Sequence, residues 1–206
     1  RLTLGITIPA AAGLAFLAKP ILIALFQWGE FGEGEVKAAS EILMIASVGL
    51  PFYAISTFLV KVYHSKKKMI LPFQAAIISL LANLGFSLLL IEEYQVHGLA
   101  WANVFAAILQ TIYLAIRMDE IPVSVFFLNQ PIQIPSIMFS AGVMSGTLYF
   151  SNQEILNSYT KFGSVLYLLA IIPVGVIVYG LMLLILGFPE LKGLFKRTVR
   201  HKGFKL

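Results

Sequence analysis

The chain of 206 residues is 59% hydrophobic and 12% charged, with 15 basic and 10 acidic residues, a net charge of +5 and no cysteine. A soluble domain carries about 25% charged residues, so this composition excludes a soluble globule and predicts a membrane protein. Disulfides and thiolate metal sites are excluded as well. In a membrane protein, excess positive charge indicates topology and attraction to anionic headgroups rather than nucleic-acid binding.

Six long apolar segments alternate with short loops. Each holds about 20 residues or more, the length that a helix needs to cross a hydrocarbon core of about 30 Å. The sequence therefore predicts an all-α, polytopic membrane protein with six transmembrane helices. In chain order the segments are Leu4–Gln27, Ser40–Tyr63, Ile70–Ile91, Val96–Ile116, Ile132–Ser151 and Gly163–Gly187.

Two lysines are candidates for contact with a substrate in a cavity. Lys19 lies inside the first segment, where a central lysine costs about 2.5–3.5 kcal/mol on insertion scales. It is expected to meet an anionic substrate or an internal carboxylate, or else to reach the outer interface with its flexible side chain. Lys61, near the end of the second segment, is the other candidate, and an interfacial position is its alternative.

The connections between the first four segments are short. The loop Trp28–Ala39 is rich in glycine and glutamate, and we expect the glycines to interrupt the helix there. Tight turns at His64–Met69 and Glu92–Gln95 predict antiparallel hairpins. Residues 1–117 are therefore predicted to form a bundle of four transmembrane helices.

Polar side chains share faces on the third and fourth segments. Asn83 and Ser87 are one helical turn apart, and Asn103 and Gln110 are two turns apart on the next segment. If these faces meet, their oxygen atoms could bind a small hard cation such as Na⁺. The alternative is direct hydrogen bonding between the helices, worth about 0.6 kcal/mol per bond on average.

The rest of the chain is predicted to form a linker, a second helical unit and a tail. Residues 118–131 are expected to lie along the membrane interface, residues 132–188 to form a pair of transmembrane helices, and residues 189–206 to form a basic cytoplasmic tail. Small residues on one stripe of the fifth segment predict close helix packing, with Gly142 and Gly146 in a GxxxG pattern. Kinks are predicted at or near the prolines Pro20, Pro51, Pro135 and Pro173.

The loops are also sorted by charge. If the chain crosses the membrane six times, most of the 15 basic residues lie on one side. By the positive-inside rule that side is the cytoplasm, and both ends of the chain are expected there. The residues on this side are Arg1, Lys61, Lys66, Lys67, Lys68, Arg117, Lys192, Lys196, Arg197, Arg200, Lys202 and Lys205.

Signals for an enzyme are lacking in the sequence. The three histidines have no metal-ligand spacing, and no nucleophile elbow, P-loop or dinucleotide-binding loop can be found. The sequence therefore predicts neither catalytic residues nor a metal site. Because the chain begins at Arg1 without methionine, we expect it to be the C-terminal piece of a longer protein.

Several motifs resemble the later half of the MurJ/MviN lipid II flippase family. In that family a proline-bearing span ends in a Leu-Phe-x-x-Gly-x-Phe loop, which is similar to Leu25–Phe31 here. The similarity extends in order over essentially the whole chain. The other motifs are Ile8–Leu14, Ala18–Ile21, Gly49–Pro51 with Lys61–Tyr63, Gly98–Asn103, and Leu186–Phe188 with Arg197–Val199.

The resemblance implies the last six spans of a fourteen-helix, MATE-like flippase. The first four would complete a lobe, and the last two would border a groove for a polyprenyl tail, with Gly142, Ser145, Gly146 and Pro173 packing along it. The implied function is translocation of lipid II across the bacterial inner membrane by alternating access. Its implied partners are lipid II, membrane lipids and the N-terminal half of the same protein, with coupling to Na⁺, protons or the membrane potential.

The chain also departs from the family pattern. Members with a sodium site carry Asn and Asp one turn apart, where this chain has Asn83 and Ser87 and therefore no carboxylate. The turn Ser65–Met69 replaces a family Arg-Gly-Asp-Thr-Arg-Thr-Pro turn. Two alternatives stay open. One is another transporter of the same superfamily, either a polysaccharide-lipid flippase or a cation-coupled multidrug exporter, and the other is a non-transporting membrane scaffold for cell-wall enzymes.

Overall fold

The computed structural model describes residues 2–26, 32–118, 133–155 and 161–186. In these ranges every regular element is an α-helix, which confirms the all-α prediction. The helices are α1 (Leu2–Phe16), α2 (Ala18–Phe26), α3 (Glu33–Ser65), α4 (Ile70–Ile116), α5 (Gln133–Ile155) and α6 (Lys161–Ile185). By length and apolar composition α3, α4 and α6 qualify as membrane spans within the described residues, and α1 with α2 qualifies as a bent fourth.

The first predicted segment is broken at Leu17. Helices α1 and α2 meet there at a bend of 69°. Pro20 has no N–H group and therefore cannot donate a hydrogen bond to the carbonyl of Phe16. Helical hydrogen bonds are kept next to this gap, where the Leu17 N–H donates to the Gly13 carbonyl and the Ile21 N–H to the Leu17 carbonyl, both at 2.9 Å. The kink predicted near Pro20 is thus confirmed, and Leu17 is buried at the bend with 3% of its surface exposed.

Helix α3 begins earlier than predicted. The glycine-rich loop was expected to last until Ala39, but the helix begins at Glu33, after the extended Gly32. A helical glycine costs only about 1 kcal/mol relative to alanine. Val36 buries itself against Leu22 and Ile23, and the acidic first turn favours the positive end of the helix dipole. These contributions offset the glycine cost, so the prediction of a non-helical loop is wrong for residues 33–39.

Helix α4 is a hairpin. Its 47 residues contain one non-helical position, Gln95, with φ 48° and ψ −124°, and the chain reverses there. Asn83 and Asn103, which would lie about 30 Å apart in a straight helix, are joined by a bond of 2.6 Å. The two arms, residues 70–94 and 96–116, are therefore the third and fourth predicted segments, and the turn predicted at Glu92–Gln95 is confirmed.

The helices pack in a definite order. Helix α3 lies between α4 on one side and α1 with α2 on the other, and α5 and α6 pack against the far side of α1 and α2. The bent pair α1–α2 thus separates the hairpin from the last two helices. The division of the chain at residues 118–131 stays a prediction, because only Met118 of the linker lies within the described residues. The predicted tail at residues 189–206 lies outside them.

Candidate functional site

An apolar groove runs between the bent first span and the last helix pair. It encloses about 440 Å³. On one wall, Gly5, Pro9 and Gly13 follow each other at spacings of four residues and so share one face of α1. Opposite them lie Met144 and Leu148 of α5 and Ile171, Gly175 and Tyr179 of α6. Because these α1 residues have small side chains or none, open space is left between the helices.

Flexible side chains border the two glycines in the middle of the groove. A β-carbon at Gly13 would lie 3.4 Å from Cε of Met144, and one at Gly175 would lie 3.5 Å from the same atom. Met144 therefore reaches between α1 and α6. Methionine is unbranched and adapts its shape to irregular gaps, so this filler can be displaced more readily than a branched side chain.

The bend in the first span lies at one end of the groove. Leu17 packs there with Met144, Leu148, Tyr167 and Ile171 in a buried cluster. Because α2 turns by 69° at this point, the wall that α1 provides ends near Leu17, and Ile21 of α2 lines the groove beyond the bend. In the other direction the groove extends from the bend toward the beginning of α1.

One polar bond crosses the other end of the groove. The Tyr179 hydroxyl donates to the Gly5 carbonyl at 2.6 Å. Sequence reasoning missed both residues, since they are 174 positions apart and neither belongs to a known motif. One local signal was available: the pair Gly5 and Pro9 is spaced so that the proline leaves a helical carbonyl without its usual partner.

The predicted small-residue stripe of α5 lies elsewhere. Gly142 and Gly146 have open space where a β-carbon would stand, and neither lines the groove. The face of α5 that packs inward carries Ala141, Met144 and Leu148 instead. The close helix contact predicted for the GxxxG pair is therefore not formed with the described residues, because the pair is rotated one position, about 100°, from that face.

The other two groove candidates are also away from its lining. Ser145 bonds to the Ala141 carbonyl of its own helix at 2.7 Å. Pro173 is exposed, although its neighbour Ile172 lines the groove. Both residues therefore lie on helices that border the groove, but neither side chain lines it.

The two candidate lysines are both exposed. Lys19 stands at the start of α2, between the buried residues Ala18 and Pro20, and points away from the packed face. Lys61 is exposed near the end of α3. Neither has a carboxylate within ion-pair distance in the described part of the chain. An internal partner for Lys19 is therefore not seen there, and substrate contact stays a prediction for both residues.

The polar faces of the two α4 arms do meet. The Asn83 amide donates to the Asn103 side-chain oxygen at 2.6 Å, and the Ser87 hydroxyl contacts the Asn83 oxygen at 3.4 Å. The Asn103 amide donates to the Leu99 carbonyl at 3.1 Å. In this network both amide oxygens already accept hydrogen bonds. Gln110 has no bond to it among the described side chains.

This arrangement does not fit a sodium site. A hard cation needs several oxygen ligands directed at one point, usually including a carboxylate. Here the oxygens point at amide and hydroxyl donors, and position 87 is a serine. Among the described side chains the network forms an interhelical clasp between the arms of α4.

Charge is segregated along the α3–α4 unit. Glu41 bonds His97 at 2.8 Å, and this contact joins the start of α3 to the reversal of α4. At the opposite end, the Tyr63 hydroxyl donates to the Leu114 carbonyl at 2.8 Å. The glutamates of this unit lie at the first end, together with Lys37: Glu33, Glu35, Glu41, Glu92 and Glu93. The second end carries Lys61, Lys66, Lys67, Lys68 and Arg117.

Comparison with known proteins gives consistent similarities. A family model described as lipid II flippase MurJ matches residues 1–170. The chain is 31% identical over 190 residues to a Haemophilus influenzae protein named "Probable lipid II flippase MurJ", and it covers 37% of that protein. It is 33% identical over 126 residues, 61% of this chain, to the "Lipid II flippase MurJ" of Thermosipho africanus, of which 26% is covered.

A solved structure is also similar. It is titled "Lipid II flippase MurJ, inward closed conformation" and superposes with a TM-score of 0.70 at 27% sequence identity. The match covers 95% of this chain and 37% of the solved one. The chain thus spans a little over a third of the length of the proteins that it matches most fully.

Proposed function

The chain belongs to the lipid II flippase MurJ family, and from that premise we propose that it forms the C-terminal part of a lipid II flippase. In this proposal the complete protein moves the lipid-linked peptidoglycan precursor across the bacterial inner membrane by alternating access. Its partners are lipid II, the surrounding lipids and the N-terminal half of the same protein. The chain acts in transport and contributes no catalytic residue.

The groove between α1 and the last helix pair is the observation that carries the proposal. A polyprenyl tail is a flexible hydrocarbon, so its binding surface has to be long, apolar and free of unpaired polar groups. The groove has such a lining, and two polar groups at its end, the Gly5 carbonyl and the Tyr179 hydroxyl, are bonded to each other. We propose that the tail lies in this groove while the headgroup crosses elsewhere in the protein.

The first test is complementation in cells depleted of their own lipid II flippase. We expect the complete gene product that contains this chain to restore growth and precursor translocation. A scaffold for cell-wall enzymes would not translocate, and an exporter of drugs or polysaccharide lipids would leave the precursor on the inner leaflet. Purified protein in vesicles whose membrane contains lipid II provides the matched assay. Vesicles with lipid II but without the protein are the control.

The same vesicles test the coupling ion. Since the Asn83–Asn103 clasp has no carboxylate and no free amide oxygen, we propose that sodium does not drive transport through this network. Replacing Na⁺ by K⁺ on both sides should leave the translocation rate unchanged, while collapse of the membrane potential should lower it. A rate that follows the Na⁺ gradient would contradict the proposal.

The segregated charges suggest an orientation. We propose that the basic end of the α3–α4 unit faces the cytoplasm and the acidic end faces outward, with both chain ends cytoplasmic. In a cysteine-free background, Gly34→Cys should react with an impermeant maleimide in intact spheroplasts. Lys67→Cys should react only after permeabilisation. The reverse pattern would overturn the orientation without affecting the proposed activity.

A further inference from the structure

The bond between Tyr179 and Gly5 has a specific cause in the sequence. In an α-helix, the carbonyl of residue 5 accepts from the N–H of residue 9. Residue 9 is Pro9, which has no N–H, so the Gly5 carbonyl loses its usual donor inside α1. The Tyr179 hydroxyl of α6 supplies the missing bond at 2.6 Å.

The surroundings make this bond important. Gly5 and Pro9 are buried, and the nearby side chains Ile8, Ile137 and Leu183 form an apolar cluster with Tyr179. An unpaired carbonyl in such a place would pay a full desolvation penalty, because neither water nor lipid can replace the donor. A bond in a low dielectric medium is also electrostatically stronger than one in water.

The bond lies at a defined place along the groove. Helices α1 and α6 line it in opposite directions: Leu17 lies near Ile171 at the bend, Gly13 and Gly175 flank Met144, and Gly5 meets Tyr179. The bend lies at the first end. The Tyr179–Gly5 bond joins the two walls at the second end.

We propose that Tyr179 is a positioning residue that fixes α6 against the proline-interrupted face of α1 and thereby closes the second end of the groove. Because the bond joins the two walls, it sets their separation and limits how far a hydrocarbon tail extends along the groove. The consequence for transport rests on the proposed function, but the bond and its effect on helix spacing do not.

The decisive variant is Tyr179→Phe in the complete gene product, since phenylalanine keeps the ring and removes only the donor. Spin labels at Thr3→Cys and Ile177→Cys, in a cysteine-free background, report the distance between α1 and α6. We expect a broader and longer distance distribution for Tyr179→Phe. An unchanged distribution would overturn the proposal.

Pro9→Ala provides a second, independent test. Alanine restores the N–H that bonds the Gly5 carbonyl within α1, so the penalty for losing the tyrosine hydroxyl becomes smaller. We expect Tyr179→Phe to lower the unfolding temperature clearly when Pro9 is present and only slightly in the Pro9→Ala background. Equal shifts in both backgrounds would show that the proline-freed carbonyl is not what Tyr179 serves.

Transport with tails of different length separates positioning from general damage. A misfolded variant lowers the rates for long-tailed and short-tailed lipid II analogues by the same factor. Opening one end of the groove should instead change the ratio of these rates, by about fivefold if one hydrogen bond is lost. If the wild-type protein moves neither analogue, the proposed function fails, while the spin-label distances still decide the role of Tyr179.

Discussion

Gly98→Ala is expected to destabilise the folded protein by about 1–3 kcal/mol, the usual cost of forcing extra atoms into a packed site. Gly98 lies in the first turn of the second arm of α4, three residues after the reversal at Gln95. A β-carbon there would lie 2.5 Å from the Leu90 carbonyl oxygen and 2.8 Å from its carbon. Both are backbone atoms, so the clash cannot be relieved by a side-chain rotation. The arms have to move apart.

The matched control is Gly85→Ala on the first arm of the same hairpin. A β-carbon at Gly85 would meet no atom within 4 Å. In a helix, alanine is favoured over glycine by about 0.8–1.0 kcal/mol, so this variant should be neutral or slightly more stable. Thermal unfolding of the two purified variants in one detergent measures the difference. Equal unfolding temperatures would contradict the expected clash between a side chain at position 98 and the Leu90 carbonyl.

Separation of the arms should also affect the clasp. Asn83 and Asn103 face each other across the hairpin at 2.6 Å, a distance that depends on the arms staying in register. Gly98→Ala should therefore weaken the clasp along with the turn. The clasp is exposed or half-buried rather than deeply buried, so most of the lost stability should come from the backbone clash itself.

The hairpin was predictable because its signals are local. The apolar arms, the charged turn at Glu92–Gln95 and the polar positions Asn83 and Asn103 all lie within one stretch of sequence. Once two arms of similar length are joined by a short turn, residues equally far from the turn have to meet. The same reasoning predicted the bend near Pro20, since proline removes a helical hydrogen bond whatever surrounds it.

The groove was not predictable in the same way. Its walls come from α1 and α6, which lie at opposite ends of the chain, and no local pattern says which faces of two distant helices will oppose each other. Gly142 and Gly146 fit the pattern of a packing stripe, yet the structure turns them outward. Hydrophobic periodicity could not correct this error, because in a membrane helix apolar residues occur on all faces.

The start of α3 shows a third kind of limit. Glycine frequency predicted a loop up to Ala39, since each glycine is unfavourable in an isolated helix. The contacts of Val36 with Leu22 and Ile23 come from a different helix and reverse that preference. Local propensity is a weak guide wherever a distant apolar surface is available to cover the segment.

Filling the groove with a bulky side chain should strongly lower the rate of translocation. In the complete gene product, Gly175→Phe is expected to lower lipid II translocation by about tenfold or more, a factor that corresponds to roughly 1.4 kcal/mol of lost binding. A β-carbon at this position would lie 3.5 Å from Cε of Met144 and 3.6 Å from Cδ2 of Leu148, both ends of flexible side chains. The ring therefore enters the 440 Å³ space rather than a packed backbone.

The control for this variant is a substitution at Gly180, five residues further along the same helix. Gly180 has open space beside it and does not line the groove, so Gly180→Phe adds the same ring to α6 without entering the groove. Gly142→Phe does the same on α5. Both controls should translocate at nearly the wild-type rate, and all three variants should unfold at similar temperatures. If Gly175→Phe folds normally and still translocates at the wild-type rate, the tail does not use this groove.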